Sequence, residues 1–288
     1  MKNNTQLERY KLLKDYIDTH YKEHINIAKI EQVCFYSYRN MNRIFLALHK
    51  ETIGQYIKRV RLVKAAEYLK YSEKSIFDIA LEVGFSDVHA FTKAFKARFQ
   101  VPPASYRKQV NPSFQADLTT SSLSSVSVTP LEFSIEYLEA FEMLYIEYRG
   151  AYDDLQAIEE KWDALWQYAE KNGLANERSV LIAEILDDNE ICDAIFCRYH
   201  AGLILDQPLK TIPEGLFRVK THKPQKYVKF LHQGADETVV ETYSAIYSQW
   251  LTKGKHEMAD LPTLEFLLNH HLDPPKDQLL TEIYIPIE

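Results

Sequence analysis

Apolar residues in the first 110 positions recur at the three- to four-residue spacing of helices that bury one face. Leu13, Ile17 and Tyr21 show this spacing near the start of the chain. The same pattern over 52–70 predicts one longer helix, and Pro102–Pro103 closes the last apolar run. This part of the chain is therefore predicted to be entirely helical.

The helical region also repeats itself with a period of fifty residues. Six positions carry like residues in one ungapped register: Ile27 and Phe77, Val33 and Val83, Phe35 and Phe85, Phe45 and Phe95, Tyr56 and Tyr106, Lys58 and Lys108. Each unit combines a short helix, a tight turn, a longer helix and a closing aromatic residue. This order is typical of a helix-turn-helix motif, and two such motifs are predicted in succession.

The second helix of such a motif lies in the DNA major groove, where its first residues reach the base edges. We predict these two reading helices at about 37–49 and 86–99. In the second motif Gly84 suits the turn and Ser86 suits the N-cap, whereas Cys34 stands at the glycine's place in the first motif.

The helix predicted over 52–70 separates the two reading helices. Its residues rise ~1.5 Å each, so it is about 28 Å long. One turn of DNA is ~34 Å, and one chain could therefore read two successive segments of the major groove without dimerising.

A change of composition marks the boundary between two domains. Residues 109–130 are rich in Ser and Thr, have Pro near both ends and carry almost no charge, which is typical of a linker. We therefore predict a helical domain at 1–108 and a second domain at 131–288. A chain of 288 residues is long enough for each to bury its own core.

The second domain mixes strands and helices. An amphipathic helix containing Trp162 and Trp166 is predicted among strand-like segments at 132–138, 143–148, 179–186 and 191–200. The order then recurs, with a helix at 236–253 among strands near 215–221, 226–232, 263–268 and 279–287. At an offset of 84 residues Gly150 corresponds to Gly234, and Trp166 to Trp250. We predict an α+β domain of two strand-helix-strand-strand repeats related by a pseudo-twofold axis.

The net charge of −7 is divided unequally between the two halves. Residues 1–110 hold 20 Lys and Arg against 11 Asp and Glu, a net charge of +9. Residues 111–288 hold 14 against 30, a net charge of −16. Only the first half is therefore expected to meet a polyanion such as double-stranded DNA.

Several classes of protein are disfavoured by the sequence. No apolar run approaches the ~18 residues that span a bilayer, and the start has no signal-peptide core, so a cytoplasmic protein without membrane contact is expected. The three Cys residues lack metal-binding spacing, and the adjacent His270 and His271 rarely converge on one ion. No metal, cofactor or catalytic constellation is predicted.

Residues 10–107 resemble the DNA-binding domain of AraC/XylS-family transcription regulators. The stretches that carry the resemblance are ETIGQYIKRVRLVKAAEYL, SIFDIALEVGFSDVHAFTKAFKARF and VPPASYRK. The resemblance places the family's base-facing positions on Arg39, Asn42, Arg43, Val88, His89, Ala90 and Lys93. Arg and Lys suit guanine edges or phosphates, and Asn suits adenine. Phosphate contacts are expected from Lys96, Arg98, Arg59, Arg61 and Lys108.

Glu265 stands between Leu264 and Phe266 inside an apolar, strand-like run. A carboxylate in such a place is costly unless it is paired, so it lies either at a surface edge or in a cavity that accepts a cation. Residues 131–288 resemble the GyrI-like effector-binding domain, through a P-x-x-E stretch ending at Glu265 and the closing TEIYIPI over 281–287.

The GyrI-like resemblance implies a cleft between the two repeats that binds apolar, often cationic, ligands. Aromatic faces and one buried carboxylate suit such ligands through cation–π contact and charge pairing. The residues expected to form the site are Glu265, Tyr145, Tyr148, Trp162, Trp250 and Tyr284. The aromatic residues also fit an ordinary core.

The sequence thus predicts a multidomain, ligand-responsive transcription regulator rather than an enzyme. Its expected partners are double-stranded DNA, a small-molecule effector and RNA polymerase. Two alternatives stay open. The second domain could hydrolyse small molecules with Glu265 as base and Tyr145 or Tyr284 as orienter, or it could serve only as a protein-interaction module.

Overall fold

The computed structural model describes residues 6–111, 132–176, 178–209, 211, 213–247, 258–270 and 274–288. The chain divides into two compact units, Met1–Ser121 and Ser122–Glu288. Most of the predicted linker lies outside the described residues, although its first two positions extend a helix. None of the helices within those ranges is long and apolar enough to cross a membrane.

The first unit is helical, as predicted. Its elements are α1 (Gln6–His20), α2 (Ile27–Cys34), α3 (Tyr38–His49), α4 (Ile53–Tyr71), α5 (Ile76–Glu82), α6 (Val88–Phe99) and α7 (Pro103–Val110). Thr52 and Gln55 form a capping box that begins α4. Helix α4 packs against α3, α5, α6 and α7, and it therefore forms the centre of the unit.

The period of fifty residues is visible in the structure. The two reading helices α3 and α6 have the same length and begin fifty residues apart. Each ends with a left-handed residue, Lys50 at φ 58° and Gln100 at φ 64°. The closing aromatic contact is duplicated as well, because the rings of Phe45 and Tyr56 meet edge to face in the first motif. Phe95 and Tyr106 do the same in the second.

The two tight turns differ by one position. In the second motif Gly84 takes the left-handed conformation at φ 86°, whereas in the first it is Phe35, at φ 50°. Cys34 does not make the turn, because it is the last residue of α2 and its thiol donates to the carbonyl of Ile30. The N-cap of α6 is Asp87 rather than Ser86, since the Asp87 carboxylate accepts the Ala90 N–H at 2.7 Å.

The second unit is an eight-stranded antiparallel sheet with helices. Its strands are β1 (Ser134–Leu138), β2 (Phe141–Arg149), β3 (Leu181–Ile185), β4 (Arg198–Ile204), β5 (Arg218–His222), β6 (Gln225–Gln233), β7 (Thr263–Leu267) and β8 (Leu280–Pro286). Helix α8 (Leu155–Lys171) follows β2, and α9 (Val239–Ala245) follows β6. The strand order is β1-β6-β8-β7-β3-β4-β2-β5.

This order confirms the predicted pseudo-twofold repeat. Each strand of one repeat has a counterpart in the other: β1 and β5, β2 and β6, β3 and β7, β4 and β8. If all counterparts are exchanged, the result is the original strand order read from the other edge of the sheet. Strands β5 and β6 begin 84 residues after β1 and β2, as the sequence offset predicts. Each repeat lends its first strand to the other, because β1 pairs with β6 and β5 pairs with β2.

The strand predicted at 191–200 is misplaced. Residues Ala194–Phe196 form a 3-10 turn, and β4 begins only at Arg198. The predicted helix at 236–253 begins with a 3-10 turn at Asp236–Thr238 and continues as α9. The end of that prediction, 248–253, lies outside the described residues.

The sheet has two different faces. Its helix-bearing face packs Leu144 and Ile146 against α8, and Phe230 and Ile283 against α9. Its opposite face buries a separate apolar cluster that includes Tyr145 and Tyr284. Since neighbouring residues of a strand point to opposite faces, the register determines which face each candidate residue reaches.

Candidate functional sites

The reading helices expose matching pairs of basic side chains. Arg39 and Arg43 lie one turn apart on α3, and both are exposed. His89 and Lys93 are their counterparts fifty residues later on α6, and both are exposed there. Residues four apart share one face of a helix, so each reading helix presents a basic pair near its N-terminal end.

The other predicted DNA contacts fall into two groups. Ala90 and Lys96 are exposed on α6, and Val88 is partly exposed at its first turn. Asn42 is different, because its side-chain oxygen accepts the N–H of Ile53 at 2.9 Å. A two-point contact with adenine needs that oxygen. In this structure Asn42 therefore supports the start of α4 instead of presenting a free amide to a base.

Two of the five predicted phosphate contacts are turned inward. Arg59 is buried and donates to the Glu51 carboxylate through Nε and Nη2, with the shortest contact at 2.8 Å. Arg61 is half-buried and donates to backbone carbonyls. Both predictions are therefore wrong for these arginines. Lys96 and Lys108 are exposed, and Arg98 lies over the ring of Phe99.

Glu265 lies on β7 and points to the helix-bearing face. It stands opposite Ala183 on β3 and Ile283 on β8, and its relative exposure is 8%. The phenol of Tyr243 on α9 donates to its Oε1 at 2.7 Å. No ion pair to Glu265 is found among the residues that the structure describes.

Burial dominates the ionisation of Glu265. It raises the pKa of this carboxyl from 4.5 to about 7. The hydrogen bond from Tyr243 and the nearby His270 lower the pKa, whereas the charge of Asp236 raises it further. At neutral pH the carboxyl is thus poised between its two forms, and a bound cation would favour the ionised one.

Aromatic side chains stand on the same side of the sheet as Glu265. Tyr199 on β4 is buried, and burial followed by the charge of Glu265 raises its pKa well above the usual range. Trp162 on α8 donates its indole N–H to the Tyr199 hydroxyl at 3.1 Å. Tyr152 packs against Tyr199 with ring centroids 6.5 Å apart. Tyr199, Trp162 and Tyr152 therefore form an aromatic cluster on the same face of the sheet as the Glu265 carboxylate.

The structure brings only some of the predicted wall residues to this side. Trp162 lies there, and Tyr148 has the same orientation but donates its hydroxyl to the Ala151 carbonyl. Tyr145 and Tyr284 point to the opposite face, where they belong to another cluster. Trp250 lies outside the described residues.

Sequence reasoning missed Tyr199 and Tyr243, the aromatic residues that do stand near Glu265. Tyr199 lies inside the strand predicted at 191–200, but its neighbours depend on how β4 pairs with β2 and β3, which the sequence does not show. Tyr243 lies one turn after the start of α9, and its spacing from Val239 was the available signal.

The opposite face carries a second buried carboxylate, Glu184 on β3, whose exposure is 0%. His200 Nδ1 lies 2.6 Å from its Oε2, and the ammonium of Lys220 contacts the same oxygen. His222 Nε2 lies 3.3 Å from Oε1. Burial alone would raise the pKa of Glu184, but Lys220 and the two histidines hold it well below the usual range.

Comparison with known families agrees with this architecture. Residues 131–288 match the family described as a GyrI-like small molecule binding domain. Residues 30–109 match a helix-turn-helix domain family. Each match falls within one of the two units.

Similar proteins are found for the helical part of the chain. The regulatory protein SoxS of Salmonella typhimurium is 33% identical over 98 residues, which cover 34% of this chain and 92% of SoxS. The probable transcription factor PqrA of Proteus vulgaris is 40% identical over 86 residues, which cover 30% of this chain and 70% of PqrA.

Among solved structures, the C-terminal domain of EcmrR aligns with 56% of this chain and 99% of that domain, at 13% identity and a TM-score of 0.48.

Proposed function

The chain belongs to the DNA-binding transcription regulators that combine an AraC-type helix-turn-helix domain with a GyrI-like domain, and on that premise we propose how each half works. The helical half reads two successive segments of the DNA major groove with α3 and α6. The second half binds a hydrophobic cation at Glu265. Occupancy of that site controls the regulator's action at the promoter.

The proposal for DNA is supported by the matched basic pairs. Arg39 and Arg43 on one reading helix, and Lys93 on the other, suit guanine edges, because their side chains donate to O6 and N7. His89 holds the position that corresponds to Arg39. Lys96 in the last turn of α6 and Lys108 on α7 are also exposed, and their ammonium groups suit contacts with DNA phosphates.

A binding experiment separates base reading from phosphate contact. DNA selected from a random pool by the full-length protein serves as the probe. Arg43→Ala and Lys93→Ala are each expected to cost about 1–3 kcal/mol of binding free energy and to relax the preference at their own base positions. The control Lys108→Ala should weaken binding to all sequences alike and reduce the salt dependence. Unchanged base preferences in both variants would contradict the assignment.

The single observation that carries the ligand proposal is the state of Glu265. Its carboxylate is buried, its pKa is raised to about 7, and a tyrosine hydroxyl is the donor it has. Among the residues that the structure describes, Glu265 forms no ion pair, and a buried carboxylate in this state is a favourable partner for a cation. The surrounding rings of Tyr199, Trp162 and Tyr243 add cation–π attraction for an apolar cation.

This proposal is tested by tryptophan-fluorescence titration of the full-length protein. Tetraphenylphosphonium is the cationic probe, and triphenylphosphine oxide is the neutral control. Glu265→Gln should weaken binding of the cation by about 1–3 kcal/mol and leave the neutral compound unaffected. The matched variant Glu282→Gln removes a carboxylate from the opposite face and should change neither affinity. Equal binding of the cation by wild type and Glu265→Gln would refute the carboxylate anchor.

The structure gives no support to the hydrolase alternative in its predicted form. Tyr145 and Tyr284, the predicted orienting residues, lie on the other face of the sheet from Glu265. The role of RNA polymerase as a partner stays a prediction. Transcription assays with and without the cationic probe would test it, since an effect on transcription at saturating DNA occupancy requires more than a change in DNA affinity.

A further inference from the structure

Arg61, in the middle of α4, uses its guanidinium to hold three backbone carbonyls. Nε donates to Tyr21 at 2.6 Å, Nη2 to Glu23 at 2.7 Å and Nη1 to Gly84 at 2.7 Å. The first two carbonyls follow the end of α1, and the third follows the end of α5. One side chain therefore connects two segments that are separated by some sixty residues of sequence.

The three carbonyls lie directly beyond the C-terminal ends of α1 and α5. The last carbonyls of a helix lack intrahelical partners, and they carry the negative end of the helix dipole. A guanidinium presents its N–H groups in a rigid planar fork, so a single arginine can satisfy several such carbonyls at once. A lysine would have to contact all three carbonyls through the single nitrogen atom of its ammonium group.

The backbone segments themselves are in close contact at this place. A Cβ atom added to Gly84 would lie 2.3 Å from the Lys22 carbonyl oxygen and 3.0 Å from Arg61 Cζ. Gly84 also has φ 86°. The absence of a side chain therefore allows the turn of the second motif to lie directly against the residues that follow α1.

Helix α1 belongs to the first motif. It packs against α2 and α3, and Leu13, Ile17 and Tyr21 share one buried cluster with Phe45 of α3. Gly84, in contrast, belongs to the turn that leads into α6. The contact around Arg61 thus joins the body of the first motif to the turn of the second, while α4 carries the arginine between them.

We propose that Arg61 is a positioning residue that sets the spacing and rotation between the two reading helices, and hence the distance between the two DNA segments that one chain recognises. The inference rests on the proposed reading of two segments. It assigns to Arg61 a role in specificity without DNA contact, in place of the phosphate contact expected from the sequence.

Arg59 provides the matched control. It lies on the same helix, but its partner Glu51 and the ring of Tyr56 belong to the first motif. Replacing both members of the pair, Arg59→Met with Glu51→Met, removes a buried ion pair without stranding a charge. This double variant changes an arginine of α4 while leaving the contact between the motifs intact.

The spacing of the DNA segments is measured with full-length protein and DNA selected by the wild type from a random pool. One base pair is then inserted or deleted between the two recognised segments. The wild type should lose about tenfold or more in affinity, because one segment moves out of register. Arg61→Met should bind the original DNA more weakly and lose less than about threefold on insertion. The Arg59 control should retain the tenfold difference.

The distance between the helices is measured without DNA. Ala47 and Ala97 are exposed, lie fifty residues apart on α3 and α6, and can be replaced by cysteines that carry spin labels. The three native cysteines are buried. A narrow distance distribution is expected for wild type and the Arg59 control, and a broadened or shifted one for Arg61→Met. Arg61→Lys, which keeps the charge, should also broaden it and is measured in case the methionine variant does not fold.

The two measurements fail in different ways. An unchanged distance distribution in Arg61→Met and Arg61→Lys overturns the positioning role, as does a spacing preference equal to that of the wild type. If the wild type itself tolerates insertions, reading of two segments by one chain is refuted. The distance measurement then still decides whether Arg61 holds the motifs together.

Discussion

Glu184 and Glu265 lie on neighbouring strands at the centre of the sheet, and their pKa values are shifted in opposite directions. Strands β3 and β7 meet at the pseudo-twofold axis, and Ala183 pairs there with Glu265 while Glu184 pairs with Leu264. The two carboxylates are one position apart and therefore point to opposite faces. Both are buried, with exposures of 0% and 8%.

Their partners account for the difference. Glu184 is surrounded by Lys220, His200 and His222, which overcome the effect of burial and hold its pKa well below the usual range. Glu265 has the hydrogen bond from Tyr243, and burial raises its pKa to about 7. The comparison teaches that burial alone does not set the pKa of a carboxyl in this sheet. Among the described residues, the charges around each carboxyl decide the direction of the shift.

The largest effect is expected from Glu184→Gln. Removing this charge takes the shared carboxylate from Lys220, His200 and His222, although His200 keeps Glu147, and should cost about 4 kcal/mol of unfolding free energy at pH 7. The depressed pKa of Glu184 stabilises the fold above about pH 4.5, and this contribution is lost as the pH falls below that value. Urea unfolding of the full-length chain, followed by tryptophan fluorescence, measures the loss. A change below about 1 kcal/mol would remove the contrast between the two glutamates.

Glu265→Gln should have the opposite sign. The pKa of Glu265 is raised from 4.5 to about 7, so the folded state binds more protons than the unfolded state across that range, and the wild type loses stability as the pH rises through it. Above pH 7 the ionised carboxyl costs about 3 kcal/mol. The variant should therefore be more stable than wild type at pH 8 and about equal at pH 4.5. The same difference in unfolding free energy between the variant and the wild type at both pH values would contradict the raised pKa.

Tyr243→Phe sharpens the account of Glu265. The lost hydrogen bond should destabilise the ionised carboxyl by about 1.5 kcal/mol and move its pKa further upward. The Glu265 carboxyl resonance in carbon-13 NMR, identified by its absence in Glu265→Gln, reports the titration directly. A pKa that stays at about 7 would mean that the phenol contributes nothing to it.

The smallest effect is expected from Glu136→Gln on the edge strand β1. Glu136 lies 2.6 Å from Lys229, but both side chains are partly exposed, at 36% and 26%. Solvent screens such a pair, so the loss should stay below about 1 kcal/mol and shrink further in high salt. Urea unfolding at low and high ionic strength provides the measurement. A loss as large as that of Glu184→Gln would show that exposure is a poor guide in this sheet.

Local patterns predicted much of this fold. The reading helices could be placed because the period of fifty residues includes apolar positions of their buried face, such as Phe45 and Phe95, and the closing aromatic residues Tyr56 and Tyr106. Strand β4 was misplaced because Ile191, Cys192 and Cys197 are buried in a turn, where apolar residues look like those of a strand. The inward direction of Arg59 and Arg61 was missed because their partners lie elsewhere in the sequence.

The site at Glu265 was only partly predictable for the same reason. A carboxylate inside an apolar run is visible in the sequence, but its neighbours depend on pairing across the sheet. The face on which Tyr145 and Tyr284 lie is set by the register of their strands, and that register cannot be read from either strand alone. Tyr199 is a neighbour of Glu265 because β3 lies between β4 and β7 in the sheet, and this order is not visible in the sequence.

The exchange of first strands between the two repeats has a consequence for synthesis on the ribosome. Strand β6 lies between β1 and β8, and β8 lies between β6 and β7. Strands β6 and β7 therefore each lack one neighbour until residues 280–286 have been made, whereas the helical unit is complete some 170 residues earlier. A nascent chain thus completes its helix-turn-helix unit well before it completes its GyrI-like domain.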